Sequence, residues 1–174
     1  MIGAGVLAMT APIMTHASDS LPPLTLIVDD LEGEPTQALL ALHLAGMQAT
    51  SPPENVFALD LSGLKAPGVT VWTARRGDLI AGIGALKELG GGAAELKSMR
   101  THPDCLRQGV AAALLDHIIG EAKTRGLTRL SLETGRGPAF EPALSLYRNR
   151  GFADGEAFAD YEASDFSQFL HMAL

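Results

Sequence analysis

The segment formed by residues 93–134 constrains the fold more than any other part of the chain, because three elements follow each other within it. A strand-like run, Ala93 to Thr101, passes through a proline-containing turn into a helix that opens at Gln108. This helix carries apolar residues at the three- and four-residue spacing of a buried face, and Gly126 ends it. A second strand, Leu127 to Thr134, comes next. A strand–helix–strand crossover of this kind predicts a single α/β domain.

Further strands and helices are predicted on both sides of this crossover. Apolar runs bounded by glycine and proline predict strands, and apolar residues at helical spacing between capping residues predict helices. Ser51 and Glu54 have the spacing of a capping box and are expected to open a helix. The predicted strands are Leu24–Asp30, Val69–Arg75, Leu79–Leu89 and Phe166–Leu174; the predicted helices are Gly33–Gly46, Ser51–Lys65 and Pro142–Arg150, and Ala153–Asp165 is predicted to be a polar loop.

The start of the crossover helix has the composition of an anion-binding site. Gly109 and the alanines after it keep side chains away from the backbone. The first amides of a helix have no intrahelical acceptor and together carry roughly half a positive charge, which favours a phosphate. Lys97, Arg100 and Arg107 flank this turn, against one nearby acid, Asp104. The pattern indicates a pyrophosphate cradle; close packing of a small-residue helix against a sheet is the alternative interpretation.

Composition limits the classes of protein to which the chain can belong. The formal net charge is −7, which argues against a nucleic-acid binder. No apolar run approaches the ~20 residues that a membrane span requires. The single cysteine, Cys105, excludes an internal disulfide, and the sequence shows no cluster of metal-ligand residues. We therefore expect a cytoplasmic protein without a metal and without a nucleic-acid or membrane partner.

The first residues differ from the rest of the chain. Met1 to Pro23 is rich in alanine, methionine and threonine, and has neither the basic start nor the cleavage site of a secretory signal. We predict that residues 1–23 form an N-terminal arm and that residues 24–174 form the domain, a length that suits one hydrophobic core.

Two motifs together resemble those of the GNAT superfamily, the acetyl-CoA-dependent N-acetyltransferases. The first is the cradle, Leu106-Arg107-Gln108-Gly109-Val110-Ala111, in which Leu106 stands where the family usually has arginine or glutamine. The second is an Ala-x-x-Leu-Tyr-x-x-x-Gly-Phe pattern, which runs from Ala143 to Phe152. The resemblance implies a mixed, mostly antiparallel central sheet that is flanked by helices and splayed at the cofactor site.

The same resemblance implies a set of site residues. Tyr147 would protonate the leaving thiolate, and the backbone N–H of Met99 would hold the thioester oxygen. Glu95 is the first candidate for the general base; Glu133, and a water chain without one dedicated carboxylate, are the alternatives. Glu133 and His171 are also candidates for acceptor binding. The expected donor-binding residues are Met99, Arg100, Thr101, Arg107, Gln108, Gly109, Val110, Ala111 and Ala112.

The predicted function is transfer of an acetyl group from acetyl-CoA to the primary amine of a small molecule, by direct attack in a ternary complex. The chain shows no additional peptide-binding module, which favours a small acceptor and a stand-alone enzyme. A non-catalytic CoA-binding regulatory protein and a GNAT enzyme that acts on a protein amine are the alternatives. A homodimer is expected only by analogy with the family.

Overall fold

The computed structural model describes residues 21–53 and 56–174. The predicted arm lies outside the described residues except for its last three, and so does Glu54. The strands are β1 (Thr25–Val28), β2 (Val69–Arg76), β3 (Leu79–Gly90), β4 (Ala93–Thr101), β5 (Arg129–Gly135), β6 (Ala153–Gly155) and β7 (Ser167–Ala173). The helices are α1 (Glu34–Thr50), α2 (Leu61–Leu64), α3 (Val110–Thr124) and α4 (Glu141–Asn149), with a short 3-10 helix at Pro103–Cys105.

The described strands form one seven-stranded sheet in the order β1-β2-β3-β4-β5-β7-β6. Every neighbouring pair is antiparallel except β4 and β5, which are the two strands of the crossover. This pair is in register only from Ala93 to Glu95, and the two strands diverge beyond that point. The predicted fold class, a mixed and mostly antiparallel sheet that splays at one place, is therefore confirmed.

The sheet has a hydrophobic layer on each face. Successive side chains of a strand point to opposite faces, and the neighbours Val71 and Trp72 of β2 accordingly belong to different clusters. Trp72 packs with α3 and α4 in the larger cluster, whereas Val71 packs with α1 and α2 in the smaller one. The helices thus cover both faces of the sheet. Among the described residues, no helix has both the length and the apolarity needed to cross a membrane.

A bulge in β4 changes the side-chain alternation of that strand. Gly84 of β3 faces two residues of β4, Ser98 and Met99, because the register shifts by one at this point. Ser98 adopts a left-handed backbone with a φ of 54°. A bulge of this kind bends the strand and leaves one residue outside the regular ladder. Beyond the bulge, side chains lie on the face opposite to the one that uninterrupted alternation would give them.

The region after Gly46 differs from the prediction. Helix α1 continues to Thr50, and Ser51 ends it rather than opening a second helix. The following helix is confined to Leu61–Leu64, where the side chain of Asp60 accepts a hydrogen bond from Gly63 N and forms the N-cap. A glycine inside a helix costs about 1 kcal/mol relative to alanine. Here the missing side chain leaves room for Arg100, whose Nη1 would lie 3.4 Å from a Cβ added at Gly46.

Two smaller differences concern element boundaries. Ala153–Gly155, predicted to be part of a loop, forms the short strand β6 against β7. Three residues are too few to show the alternation of apolar and polar side chains that predicts a strand. This strand forms by pairing with β7. Helix α3 begins at Val110 rather than Gln108, because Gly109 has a left-handed φ of 79° and occupies the N-cap position.

Candidate active site

A cavity of about 420 Å³ opens where β4 and β5 separate. Its walls are the end of α1, the second half of β4, the middle of β5 and the inner face of α4. Four residues predicted from the sequence to take part in catalysis or acceptor binding line this cavity: Glu95, Met99, Glu133 and Tyr147. The strand divergence therefore gathers side chains that are far apart along the chain into one space.

Glu133 has the environment expected of a general base. It lies on β5 and lines the cavity, and its Oε1 is buried without a hydrogen-bond partner in the described part of the chain. Burial raises the pKa of Glu133 to about 7, although a hydrogen bond from Ser167 and the charge of Lys97 act in the opposite direction. A carboxyl group with a pKa near 7 can both accept and release a proton at physiological pH.

Glu95 is occupied by two neighbours. Its side chain is buried, and its Oε1 accepts hydrogen bonds from Tyr161 Oη at 2.5 Å and from Lys97 Nζ at 3.0 Å. Lys97 Nζ also lies 2.6 Å from Tyr161 Oη, so the three groups form a closed triangle. Burial, followed by the charge of Glu95, raises the pKa of Tyr161, which keeps its phenol protonated as a donor. The triangle fixes the loop that carries Tyr161 to β4.

Tyr147 reaches the cavity from α4. Burial raises the pKa of its phenol to about 12, so the group is protonated at neutral pH. Its ring packs on Phe152, with centroids 5.9 Å apart. Phe152 N donates to the carbonyl of Tyr147, and Gly151 between helix and strand has a left-handed φ of 95°. Gly151 and Phe152 thus hold Tyr147 in place at the end of α4.

The predicted cradle lies beyond the end of β4 and has free backbone donors. The N–H groups of residues 107–112 have no hydrogen-bond acceptor among the described residues. Arg107 and Gly109 both have left-handed backbones, and a Cβ added at Gly109 would meet no atom within 4 Å. Arg76 supports the turn by donating from Nη2 to the carbonyl of Gln108 at 3.1 Å. Open amides at a helix N-terminus fit a diphosphate group.

The other predicted residues have different positions. Arg100 lines the cavity, but neither Thr101 nor the cradle residues do. His171 is not among the cavity-lining residues; its Nδ1 lies 2.8 Å from Ser131 Oγ and its Nε2 lies 2.8 Å from the carbonyl oxygen of Glu156. With both ring nitrogens engaged, His171 holds the loop after β6 rather than facing the space where an acceptor would bind. In the described part of the chain, no group of three or more potential ligands could hold a metal ion.

Two further features of the cavity could not be predicted from the sequence. His43 of α1 is buried at its wall, and burial, reinforced by the charges of Arg100 and Lys97, lowers its pKa to about 4. The contact between Lys97 and Tyr161 joins residues 64 positions apart. The spacing of apolar residues predicts that His43 lies on a helix. No local pattern shows that His43 lies near Arg100 and Lys97, or that Lys97 contacts Tyr161.

Comparison with known proteins agrees with this geometry. A profile of the Acetyltransferase (GNAT) family matches residues 36–152. The uncharacterised N-acetyltransferases YedL of Escherichia coli K12 and YsnE of Bacillus subtilis 168 are 49% and 50% identical over 150 and 147 residues, which is 86% and 84% of this chain and 94% and 97% of theirs. A solved structure described as an acyl-CoA N-acyltransferase of Klebsiella pneumoniae superposes with a TM-score of 0.73 at 28% identity, over 87% of this chain and 97% of that one. The profile match and the two relatives place the chain in the GNAT family of acetyltransferases.

Proposed function

We propose that this protein transfers the acetyl group of acetyl-CoA to the primary amine of a small molecule, by direct attack while both substrates are bound. The observation that carries the proposal is the cavity between β4 and β5, which is lined both by Glu133, whose Oε1 has no partner among the described residues, and by Tyr147. Family membership supports the acetyl transfer, and the residues themselves support the assignment of roles.

The donor site is assigned to the cradle and the bulged end of β4. The open amides of residues 107–112 would bind the diphosphate, because they offer several donors and the positive end of a helix dipole. Arg107 stands exposed beside them. When bound, acetyl-CoA would supply an activated acetyl thioester. The backbone N–H of Met99, in the bulge, would donate a hydrogen bond to the thioester oxygen.

Glu133 would act as the general base. An amine with a pKa near that of lysine is mostly protonated at pH 7 and must lose a proton before it can attack. Glu133 has a free oxygen and a pKa of about 7, whereas the oxygen of Glu95 already accepts two hydrogen bonds. The geometry therefore favours Glu133 over Glu95 for this role, in contrast to the order of preference drawn from the sequence. Glu95 would instead hold Lys97 and Tyr161 at the cavity wall.

Tyr147 would donate its phenolic hydrogen to the departing sulfur. Its pKa of about 12 guarantees that the hydrogen is present at neutral pH. A thiol ordinarily has a pKa near 8.5, so complete proton transfer from this phenol to a thiolate is unfavourable. A hydrogen bond that lowers the energy of the developing thiolate is the main contribution expected of the group.

The cavity supports a small acceptor rather than a protein. Helix α1 forms one of its walls, and Phe57 and Ala58 also line it, so a side chain or chain terminus of a folded protein would need to enter past these residues. A volume of about 420 Å³ is in the range of small-molecule sites.

A thiol-release assay tests the proposal. Purified protein is mixed with acetyl-CoA and, in turn, small primary amines, amino acids, and peptides with a free N-terminus or a lysine. We expect release of free CoA with at least one small amine, at a rate that the peptides do not match. Tight binding of CoA without thiol release from any mixture would overturn the enzymatic proposal and favour the non-catalytic alternative. Faster release with peptides would favour a protein acceptor.

A further inference from the structure

Arg100 lies on the acceptor side of the sheet because of the bulge in β4. Met99, which follows the extra residue Ser98, packs towards α3: its sulfur would lie 2.7 Å from a Cβ added at Gly84, close to Ile118. Arg100 consequently faces the other way, towards α1, where its guanidinium lies against Gly46. The bulge thus places the side chain of Arg100 on the same side as Glu95 and Lys97.

The guanidinium of Arg100 has no partner in the part of the chain that the structure describes. No ion pair or hydrogen bond to it is formed by any residue that the structure describes, and its Nε is buried without an acceptor. The other cation of the cavity, Lys97, is held by Glu95 and Tyr161. A charge that is partly removed from water without a counter-ion is unfavourable, and proteins retain such groups where a ligand supplies the opposite charge.

His43, whose pKa is affected by the charge of Arg100, supplies no counter-charge to the guanidinium. His43, on the adjacent wall, has its pKa lowered to about 4, so it is uncharged at neutral pH and brings no negative charge. Gly46, one turn of α1 further on, contributes no side chain and leaves the planar group accessible to the cavity. A guanidinium binds a carboxylate through two parallel hydrogen bonds, which fixes both position and orientation.

We infer that Arg100 binds a carboxylate of the acceptor, so that the acceptor is an amino acid with a free carboxyl group. This inference rests on the proposed function, since it assigns the amine of that same molecule to Glu133. The side chain of Arg100 then binds the acceptor. In this part of β4, only the backbone binds the donor. Specificity then results from two charges: the carboxyl group of Glu133 receives the ammonium, and Arg100 receives the carboxylate.

The experiment compares each common L-amino acid with its C-terminal amide as acceptor, using wild-type protein, Arg100→Gln, Arg100→Lys and the control Arg129→Gln. Arg129 is an exposed arginine at the start of β5, away from the cavity. We expect the wild type to prefer at least one free acid over its amide by roughly 10²-fold in kcat/KM, the effect typical of losing one partner of a buried charge pair. Arg100→Gln should remove this preference, Arg100→Lys should restore part of it, and the control should behave as the wild type.

Two results would overturn the inference. One is equal use of acids and amides by the wild type. The other is an Arg100→Gln protein that keeps the preference but has a raised KM for acetyl-CoA, which would assign the residue to the donor. Circular dichroism melting checks that each variant is folded. If Arg100→Gln is unstable, Arg100→Lys, which keeps the positive charge, takes its place in the comparison with the wild type.

Calorimetry separates failure of this inference from failure of the proposed function. The same acids and amides are titrated into protein saturated with CoA, which requires no turnover. Stronger binding of an acid than of its amide in the wild type, but not in Arg100→Gln, supports the carboxylate site even if no amine releases thiol. Thiol release from amides together with equal binding of acids and amides would retain the enzyme and reject the carboxylate site.

Discussion

Glu95 and Glu133 both line the cavity, and their immediate partners give them different roles. Glu95 accepts hydrogen bonds from Tyr161 and Lys97, whereas Glu133 Oε1 is buried without a partner among the described residues. Burial raises the pKa of Glu133 to about 7, so this carboxyl group holds a proton more readily than an exposed glutamate does. Environment, more than residue type, thus distinguishes the two glutamates.

Substitution of Glu133 by glutamine should remove a step in the pH–rate profile. In the wild type, kcat/KM should rise as the pH rises through about 7, because the base must be deprotonated and burial raises its pKa to that value. Glu133→Gln should lower kcat/KM by roughly 10²-fold and abolish this limb. Glu95→Gln is the matched comparison and should retain the limb. The base would be another group if Glu133→Gln kept the limb near pH 7.

Tyr147→Phe tests the proton donor with little change in shape. The variant keeps the packing against Phe152 but lacks the hydroxyl. We expect turnover to fall by roughly 10²-fold, with donor affinity largely retained, because the hydrogen bond to sulfur strengthens as the thiolate forms. Stopped-flow measurement of the acetyl-transfer step and calorimetry with CoA give the two quantities. Unchanged turnover would show that the hydroxyl takes no part in the reaction.

Residue positions that depend on a local motif could be predicted from the sequence, whereas contacts between residues far apart along the chain could not. The pattern around Tyr147 predicted a residue that does line the cavity, since Gly151 and Phe152 position it within one short segment. Lys97 and Tyr161 are 64 positions apart and belong to no motif. The sequence predicts Glu95 as the first candidate for the base because it does not show that Lys97 and Tyr161 donate hydrogen bonds to this residue.

At the scale of elements, the turn between β4 and α3 has the backbone conformation that the proposed diphosphate cradle requires. Gly109 is left-handed, and its missing Cβ faces open space rather than the protein. A methyl group there would meet nothing in the chain itself, but it would stand where a diphosphate must approach the amides.

Gly109→Ala should therefore weaken donor binding beyond its effect on stability. Gly126, at the other end of the same helix, is the matched control, because it is also left-handed and also has nothing within 4 Å of an added Cβ. Both substitutions should cost about 1 kcal/mol of unfolding free energy through the unfavourable backbone. Only Gly109→Ala should raise the Kd for CoA, by roughly tenfold or more, as measured by calorimetry. Equal affinities of the two variants would argue against the cradle.

Helices and strands could be predicted where apolar residues repeat at a regular spacing over many residues, and less well where the repeat is short. The apolar face that includes Leu114 and Ile118 predicts α3, and both of these side chains are fully buried. The end of α1 was missed because Gly46 resembles a helix terminator, and its tolerance inside the helix depends on Arg100 from another element. The capping-box spacing of Ser51 and Glu54 predicts the start of a new helix, whereas in the structure Ser51 is the C-cap of α1.

At the scale of the whole molecule, His43 makes stability depend on pH. Burial, aided by Arg100 and Lys97, lowers the pKa of His43 from 6.5 to about 4. Below pH 6.5 the unfolded chain therefore binds a proton that the folded protein cannot accept until about pH 4. This group alone should lower the free energy of unfolding by up to about 3 kcal/mol as the pH falls across that interval.

Urea unfolding at pH 7 and pH 5 tests this effect. His43→Gln should lose less stability than the wild type between these two values, since it has no proton to gain on unfolding. Glu133 acts with the opposite sign: its folded pKa of about 7 lies above its ordinary 4.5, so its protonation stabilises the folded state as the pH falls from 7 to 4.5. Glu133→Gln should accordingly lose more stability than the wild type. Identical pH dependence in all three proteins would contradict both assignments.

The pairing between β4 and β5 also has a consequence for the integrity of the molecule. Three residue pairs join the two groups of strands in the sheet, which are the four strands β1 to β4 on one side and the three strands β5, β7 and β6 on the other. A seam this short is expected to open more readily than the rest of the sheet. Any ligand that lies in the gap and touches both sides adds stability in proportion to the logarithm of its concentration. Resistance to heat and to proteases should therefore rise with the concentration of any ligand that bridges this gap.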